Sequence, residues 1–217
     1  MGELVDIQIR KVGRTGRITL TRPKALNALT YDMAMAIETA VDDWQAGGAI
    51  DLILIDAEGE KAFCAGGDIA EMYATGNRGD YAYGRKFWAD EYRMNAAIAD
   101  CALPYVAVMD GIVMGGGAGI SVHGSHRIVT ERSMIAMPEC AIGLIPDVGC
   151  SLHLAKAPGY LGEFLAMTGW RMGFSLWPDS LIDKARKLGV NAWSCVNAPS
   201  QFAGVAAIDG PQDEVDA

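Results

Sequence analysis

Two short apolar runs set the strongest limit on what this chain can build. Leu52-Ile53-Leu54-Ile55, closed by Asp51 and Asp56, and Tyr105-Val106-Ala107-Val108-Met109 have strand length and no polar face. A strand of that kind has to be covered on both sides, as in the middle of a parallel sheet with helices across it. The flanking segments supply the rest of such a fold. Val5 to Arg10 alternates apolar and polar residues, and Gly13 and Gly16 bracket a turn before Arg17 to Leu20, which predicts a β-hairpin. Arg22 to Leu29 is a loop. Thr30 is suited to cap a helix over Tyr31–Gln45, with Met33, Ile37, Val41 and Trp44 on one face and Gly47-Gly48 as its stop. A second long helical pattern runs from Tyr81 to Cys101, with Trp88, Tyr92 and Ala99 in register and Gly84 as a weak point. His126–Val129 and Ser133–Ala136 are short strands, and helices follow over 148–155, 160–167 and 178–188. Strands and helices alternate, so the fold class is α/β with right-handed crossovers.

The second apolar run leads through Asp110-Gly111 into Met114-Gly115-Gly116-Gly117-Ala118-Gly119 and a helix expected to reach about His123. Glycines at such a junction bring bare backbone N–H groups up to a ligand, or let a helix pack closely on a strand. The dinucleotide fingerprint is not satisfied, because Val122 stands where its last glycine or alanine belongs, and the P-loop lysine is missing. Gly119-Ile120-Ser121-Val122-His123 lacks the last glycine of a nucleophile elbow, which argues against Ser121 as a nucleophile.

Glu139 and Asp147 follow closely. Gly143 and Pro146 lie between them, so a turn and not one helix face must bring them together. Glu139 sits among Met137, Ala141 and Ile142, surroundings that raise a carboxyl pKa toward the range of a general acid or base. Capping or local pairing is the alternative for both residues, with Asp147 placed to cap the helix after it. Asp68 stands ready to cap a short helix through Tyr73.

Charge and composition narrow the partners. A net charge of −9, with eighteen Lys and Arg scattered along the chain, excludes a nucleic-acid face. No apolar run approaches the roughly 20 residues of a membrane helix. Three histidines (His123, His126, His153) offer no zinc spacing. Five cysteines (Cys64, Cys101, Cys140, Cys150, Cys195) without a CxxC pair, and no signal-like opening segment, lead to the expectation of reduced thiols in a cytoplasmic location.

Arg22-Pro23-Lys24-Ala25-Leu26-Asn27-Ala28-Leu29, Phe63-Cys64-Ala65-Gly66-Gly67-Asp68-Ile69, Asp110 through Gly119, and Pro138-Glu139 together resemble the crotonase (enoyl-CoA hydratase/isomerase) superfamily over about residues 4 to 172. Within it, Ser121 to Gly124 and Pro138 to Gly149 are similar to the 3-hydroxyisobutyryl-CoA hydrolase subgroup of valine breakdown. The resemblance implies a spiral of ββα units and an acyl-CoA substrate with no metal or redox cofactor. It implies an oxyanion hole from the N–H groups of Gly67 and Gly116, and Glu139 and Asp147 as the catalytic pair. Lys24, Ala25, Leu26, Ala65, Asp68 and Ile69 match the loops that line the coenzyme A groove. Hydratases of the superfamily carry a glutamate at the position of Gly119, so hydrolysis is expected over hydration, with an enoyl-CoA hydratase/isomerase or a catalytically impaired CoA-binding remnant as the alternatives. Cys150 replaces a usual glycine and would crowd the site if that backbone needed positive φ. Residues 173–217 depart from the pattern and are expected to form an atypical, poorly packed tail, through truncation or a frameshift. The helical region that builds subunit contacts is missing with them, and a homo-oligomer stays open.

Overall fold

The computed structural model describes residues 5–139 and 144–156. The helices expected over 160–167 and 178–188 and the tail from 173 lie outside the described residues.

Strands β1 (Ile7–Val12) and β2 (Thr15–Leu20) form the expected hairpin, with Ile7 opposite Leu20 and Val12 opposite Thr15. β3 (Leu52–Ala57) then pairs parallel with β2 on one side and with β5 (Tyr105–Met109) on the other, and β7 (His126–Val129) extends the sheet beyond β5. The order is β1-β2-β3-β5-β7. Both two-sided apolar runs therefore occupy interior positions. The carboxylate that closes the first run is used at once: Asp56 accepts from Thr19 Oγ1 at 2.6 Å and pairs with Arg17 on β2.

A second sheet takes the alternate strands. β4 (Ala62–Cys64), β6 (Ile112–Met114) and β8 (Met134–Ala136) pair in parallel in that order. Each turn of the chain gives one strand to the long sheet and the next to the short one, which is the ββα spiral that the resemblance implies. Sequence reading missed β4 and β6, because three residues carry too little periodicity to register.

The helices fill in behind. α1 (Tyr31–Gly47) starts at Thr30, whose Oγ1 accepts from Met33 N at 3.2 Å, and ends at Gly48 in the left-handed region (φ 61°). It buries Met33, Ile37 and Val41 as expected, together with Ala34 and Ala40. α2 (Ala70–Gly76) runs one turn further than its sequence suggests, with Asp68 Oδ1 accepting from Ala70 N at 3.2 Å. α3 (Ala82–Ala99) is tied to α1 by Arg93, which donates to both Glu38 oxygens, and by Tyr31 Oη donating to Asp90 at 2.6 Å. Its buried face differs from the expected one. Gly84, Phe87, Glu91, Met94, Asn95 and Ile98 point inward, while Tyr92 and Ala99 are exposed. Two polar residues on the inner face displaced the apolar period by about one position.

The glycine helix α4 (Gly116–Gly119) is a single turn, followed by turns through His123 in place of the longer helix expected. Four residues align too few peptide dipoles for a helix-terminus field, so individual N–H groups matter here. α5 (Cys150–Lys156) closes the described chain.

The core joins these layers through Leu20, Leu29, Ile37, Ile53, Ile55, Phe63, Met94 and Ile120. At one point no side chain fits between layers. A Cβ on Gly117 would stand 2.2 Å from Cys64 O and 2.9 Å from Cys64 C, so α4 lies directly on the β4 backbone. Gly117→Ala is therefore expected to cost about 3 kcal/mol or more in urea unfolding. Gly84→Ala meets nothing nearer than 3.6 Å on α3 and should leave stability unchanged or raise it by about 0.5–1 kcal/mol.

Candidate functional site

The site grows from the contact between two glycine loops. Gly66 (φ 116°) and Gly115 (φ 48°) both need conformations that side chains disfavour, and their loops run against each other. A Cβ on Gly116 would lie 3.2 Å from Gly67 N. Among the described residues, neither Gly67 N–H nor Gly116 N–H donates to a backbone or side-chain acceptor. Gly67 is also fixed from the other side. Leu29 N donates to Gly66 O and Asp68 N to Leu29 O, both at 2.8 Å, and Ala65 N donates to Leu26 O at 3.0 Å. These bonds join the two loops expected to line a coenzyme A groove.

The first loop owes its shape to Leu26 and Asn27, both in the left-handed region (φ 52° and 53°). Asn27 is fully buried and compensates with its side chain, donating from Nδ2 to Glu58 O and Ala62 O and accepting from Arg22 N, each at 2.9 Å. Lys24 and Ala25 are exposed on the short turn before it, and Lys24 and Leu26 line a groove with Pro23, Gly59 and Lys61. Asp68 is held by Arg22 at 3.0 Å, and Ile69 is exposed beside it.

Glu139 reaches this junction from the far side. A Cβ on Gly115 would meet its Oε1 at 2.6 Å, which places the carboxyl against the glycine turn. Glu139 is 7% exposed, and its Oε2 has no hydrogen-bond partner among the described residues. Burial raises its pKa above the usual glutamate value, and the charge of Asp147 adds to that shift. The expected perturbation is present.

Asp147 is half-buried, and its Oδ2 accepts from Tyr92 Oη at 2.8 Å. Its backbone oxygen, not its side chain, accepts from Cys150 N at the start of α5 (2.9 Å). Capping is thus done by the main chain, and the carboxylate is committed to the tyrosine. The next two residues hold the tight turn: Val148 (φ 47°) and Gly149 (φ 73°) are left-handed, whereas Cys150 is not. The crowding feared at Cys150 falls on Val148 instead, an uncommon place for a β-branched residue. His123 Nε2 donates to Val148 O at 2.6 Å, and His153 Nε2 lies 3.1 Å from His123 Nδ1. Cys150 is buried, and burial next to Glu139 and Asp147 pushes its thiol up to about 12, so it stays protonated. Ser121 is also buried and donates to Gly117 O at 2.7 Å, a structural use that removes it as a nucleophile.

Two further polar groups were not foreseen as site residues. Glu91 on α3 is 3% exposed, and a Cβ on Gly116 would meet its Oε1 at 2.6 Å. Burial, with the charges of Asp147 and Glu139 nearby, pushes its pKa up to about 8, so it is largely neutral at pH 7. Asn95, one helical turn further on, lies against Gly119. The signal available in the sequence was a pair of polar residues at i and i+4 within an otherwise apolar stripe, Phe87, Met94 and Ile98. Among the described residues no group of three metal-ligating side chains converges, and no helix is long and apolar enough to cross a membrane.

The chain as a whole has known parallels. The enoyl-CoA hydratase/isomerase profile matches residues 15–175. The mitochondrial 3-hydroxyisobutyryl-CoA hydrolase of Gallus gallus is 47% identical over 167 residues, covering 77% of this chain and 43% of its own. That of Homo sapiens is 46% identical over the same length, with the same coverage. The crystal structure of an enoyl-CoA hydratase from Rhodobacter sphaeroides shares 48% identity at a TM-score of 0.74, over 88% of this chain and 60% of that one. A carnitinyl-CoA dehydratase from Mycobacterium thermoresistibile shares 37% at a TM-score of 0.73, over 93% and 60%. This chain spans less than half the length of those curated hydrolases. Their names carry a mitochondrial location, where the thiols of this sequence led to a cytoplasmic expectation. With the profile extending over well over half of its residues, and the ββα spiral in place, the chain belongs to the enoyl-CoA hydratase/isomerase family.

Proposed function

We propose that this protein hydrolyses an acyl-CoA thioester, with 3-hydroxyisobutyryl-CoA as the leading substrate. The observation that carries the reading is the buried Glu139 carboxyl, raised in pKa and set against the junction of two glycine loops, whose Gly67 and Gly116 N–H groups donate to no acceptor among the described residues. The identity to hydrolases of that name supports the choice of substrate.

In this reading the thioester oxygen accepts from Gly67 N–H and Gly116 N–H, donors worth about 10²–10³ in rate each in comparable systems. Glu139 either takes a proton from water as the water attacks the carbonyl carbon, or attacks that carbon itself and is freed by water afterwards. In both routes the tetrahedral oxyanion collapses, the carbon–sulfur bond breaks, and the coenzyme A thiolate leaves and gains a proton. Asp147, oriented by Tyr92, positions the water or the substrate hydroxyl and assists the transfer. Glu91 stays neutral at pH 7, which spares the developing oxyanion a nearby negative charge. Lys24, Ala25, Leu26, Ala65, Asp68 and Ile69 line the path of the coenzyme A moiety, with most contacts made by backbone. Carboxyls and backbone N–H groups supply all of this chemistry, without a resident cofactor.

The 48% identity to a structure named as an enoyl-CoA hydratase favours hydration as the second reading. Gly119 offers no second carboxylate for that reaction. Incubation with 3-hydroxyisobutyryl-CoA is expected to release free thiol, and incubation with crotonyl-CoA to leave the enoyl absorbance unchanged. Loss of enoyl absorbance without thiol would transfer the assignment to hydration. Glu139→Gln should lower thiol release by about 10²-fold or more; equal inertness of both proteins would remove the enzymatic reading.

Acidity gives an independent check. The unfolded chain ionises Glu91 near the ordinary glutamate value, while the folded protein keeps its proton up to about 8. The native state thus binds more protons between those values, and stability falls as pH rises through that window, by at most about 1.4 kcal/mol per unit. Urea titrations from pH 5 to 8 should show this decline, and Glu91→Gln should flatten it. A slope unaffected by the substitution would mean that Glu91 is ionised in the folded protein.

A further inference from the structure

Among the described residues, the Asn95 amide is the buried side-chain group with both polar atoms unpaired. It is 5% exposed, and among the described residues neither its Nδ2 nor its Oδ1 has a partner. An asparagine amide offers two donors and an acceptor, and leaving them empty in a closed site carries an uncompensated desolvation cost. Nearby, Glu91 Oε1 and Glu139 Oε2 are buried and unpaired too. These atoms are not scattered. Glu139 lies against Gly115, Glu91 against Gly116 and Asn95 against Gly119, where an added Cβ would be 2.7 Å from Oδ1 and 3.1 Å from Nδ2. The same Cβ would lie 2.9 Å from Val148 Cβ, which places Asn95 beside the turn that follows Asp147. Along one turn of glycine backbone, the candidate donor Gly116, with Gly67 beside it, stands at one end, and the Asn95 amide from α3 lies against the other.

We propose that Asn95 is a specificity-determining residue that hydrogen-bonds a neutral hydroxyl on the acyl portion of the substrate. The inference rests on the hydrolase reading given above and extends it to the substituent that the site selects. A hydroxyl both donates and accepts, and so matches an amide that presents both atoms unfilled. A carboxylate in its place would face Glu139 and Asp147, and meet repulsion. The length of the turn selects the position. Gly116 to Gly119 spans three residues, about 4.5 Å of helical rise. A hydroxyl on the third acyl carbon stands three bonds, about 3–4 Å, from the carbonyl carbon at standard bond lengths. A 3-hydroxyl therefore reaches Asn95 while the carbonyl oxygen occupies the glycine N–H groups. The spacing of Glu91 and Asn95 at i and i+4 puts both on the inner face of α3, so the helix that closes the site also reads the substrate.

The test separates binding from turnover. In the full-length Glu139→Gln protein, the dissociation constants of 3-hydroxyisobutyryl-CoA and isobutyryl-CoA are measured by calorimetry with Asn95 present and with Asn95→Leu or Asn95→Ala. With Asn95 the hydroxylated ligand should bind about tenfold more tightly. Either substitution should bring the ratio to within about twofold, with the affinity for isobutyryl-CoA retained. A ratio near one with Asn95 in place overturns the proposal, as does a preference that survives the substitutions. Should both variants fail to fold, as shown by circular dichroism, the smaller polar Asn95→Ser takes their place, and a tenfold preference that survives it overturns the proposal. A protein that releases no thiol but keeps the Asn95-dependent preference would refute hydrolysis and leave the hydroxyl contact standing; thiol release without that preference would do the reverse.

Discussion

Main chain rests on main chain where Gly117 meets Cys64, and the remainder of the site depends on that contact. With no Cβ between them, α4 approaches β4 to a distance that excludes any other residue type. The approach carries Gly115 and Gly116 up to Gly66 and Gly67, and two N–H groups end in one cleft. The cleft then has to be closed by something that tolerates bare backbone. Glu139, Glu91 and Asn95 do this, each pressed against a different glycine of the same turn. Small residues at the centre and long polar ones around them are a single arrangement, since every methyl omitted from the backbone is space taken by a side chain from elsewhere.

Local chemistry was legible in the sequence, and convergence was not. Thr30 capping α1, Gly48 ending it, the hairpin around Gly13 and the two interior strands depend on residues close together in the chain, so their spacing was sufficient. Glu139 was recognisable as a perturbed carboxyl for the same reason, its apolar neighbours being adjacent in sequence. The inner face of α3 escaped because Glu91 and Asn95 are polar, and a stripe interrupted by a glutamate and an asparagine points its apolar moment elsewhere. Tyr92 escaped as the partner of Asp147 because 55 residues separate them. The His123–His153 contact, across 30 residues, was equally hidden. Val148 could not have been foreseen, since a valine gives no sign that its backbone will be left-handed.

The site also shows two ways of holding a carboxyl. Asp147 is half-exposed, and its Oδ2 receives a phenol hydrogen from Tyr92. Glu139 and Glu91 are enclosed with oxygens unpaired, which suits groups that hold a proton longer. For both glutamates burial is the largest cause of the raised pKa, so enclosure sets how firmly each holds its proton.

The alternation of strands between two sheets has a consequence for how the chain reaches this state. β1 and β2 are joined by a tight turn, and their pairing closes a very short loop. All other pairings are parallel and join distant segments: Thr15 faces Leu52, Ile53 faces Tyr105 and Ala62 faces Ile112. Loop entropy is lost in each of these before neighbouring contacts compensate it, which places the chain among slow-folding topologies. The glycine junction joins the loop after β4 to the loop after β6, so it is completed only once those two strands of the short sheet have paired. The cleft is therefore expected to assemble after this long-range strand pairing, late in folding.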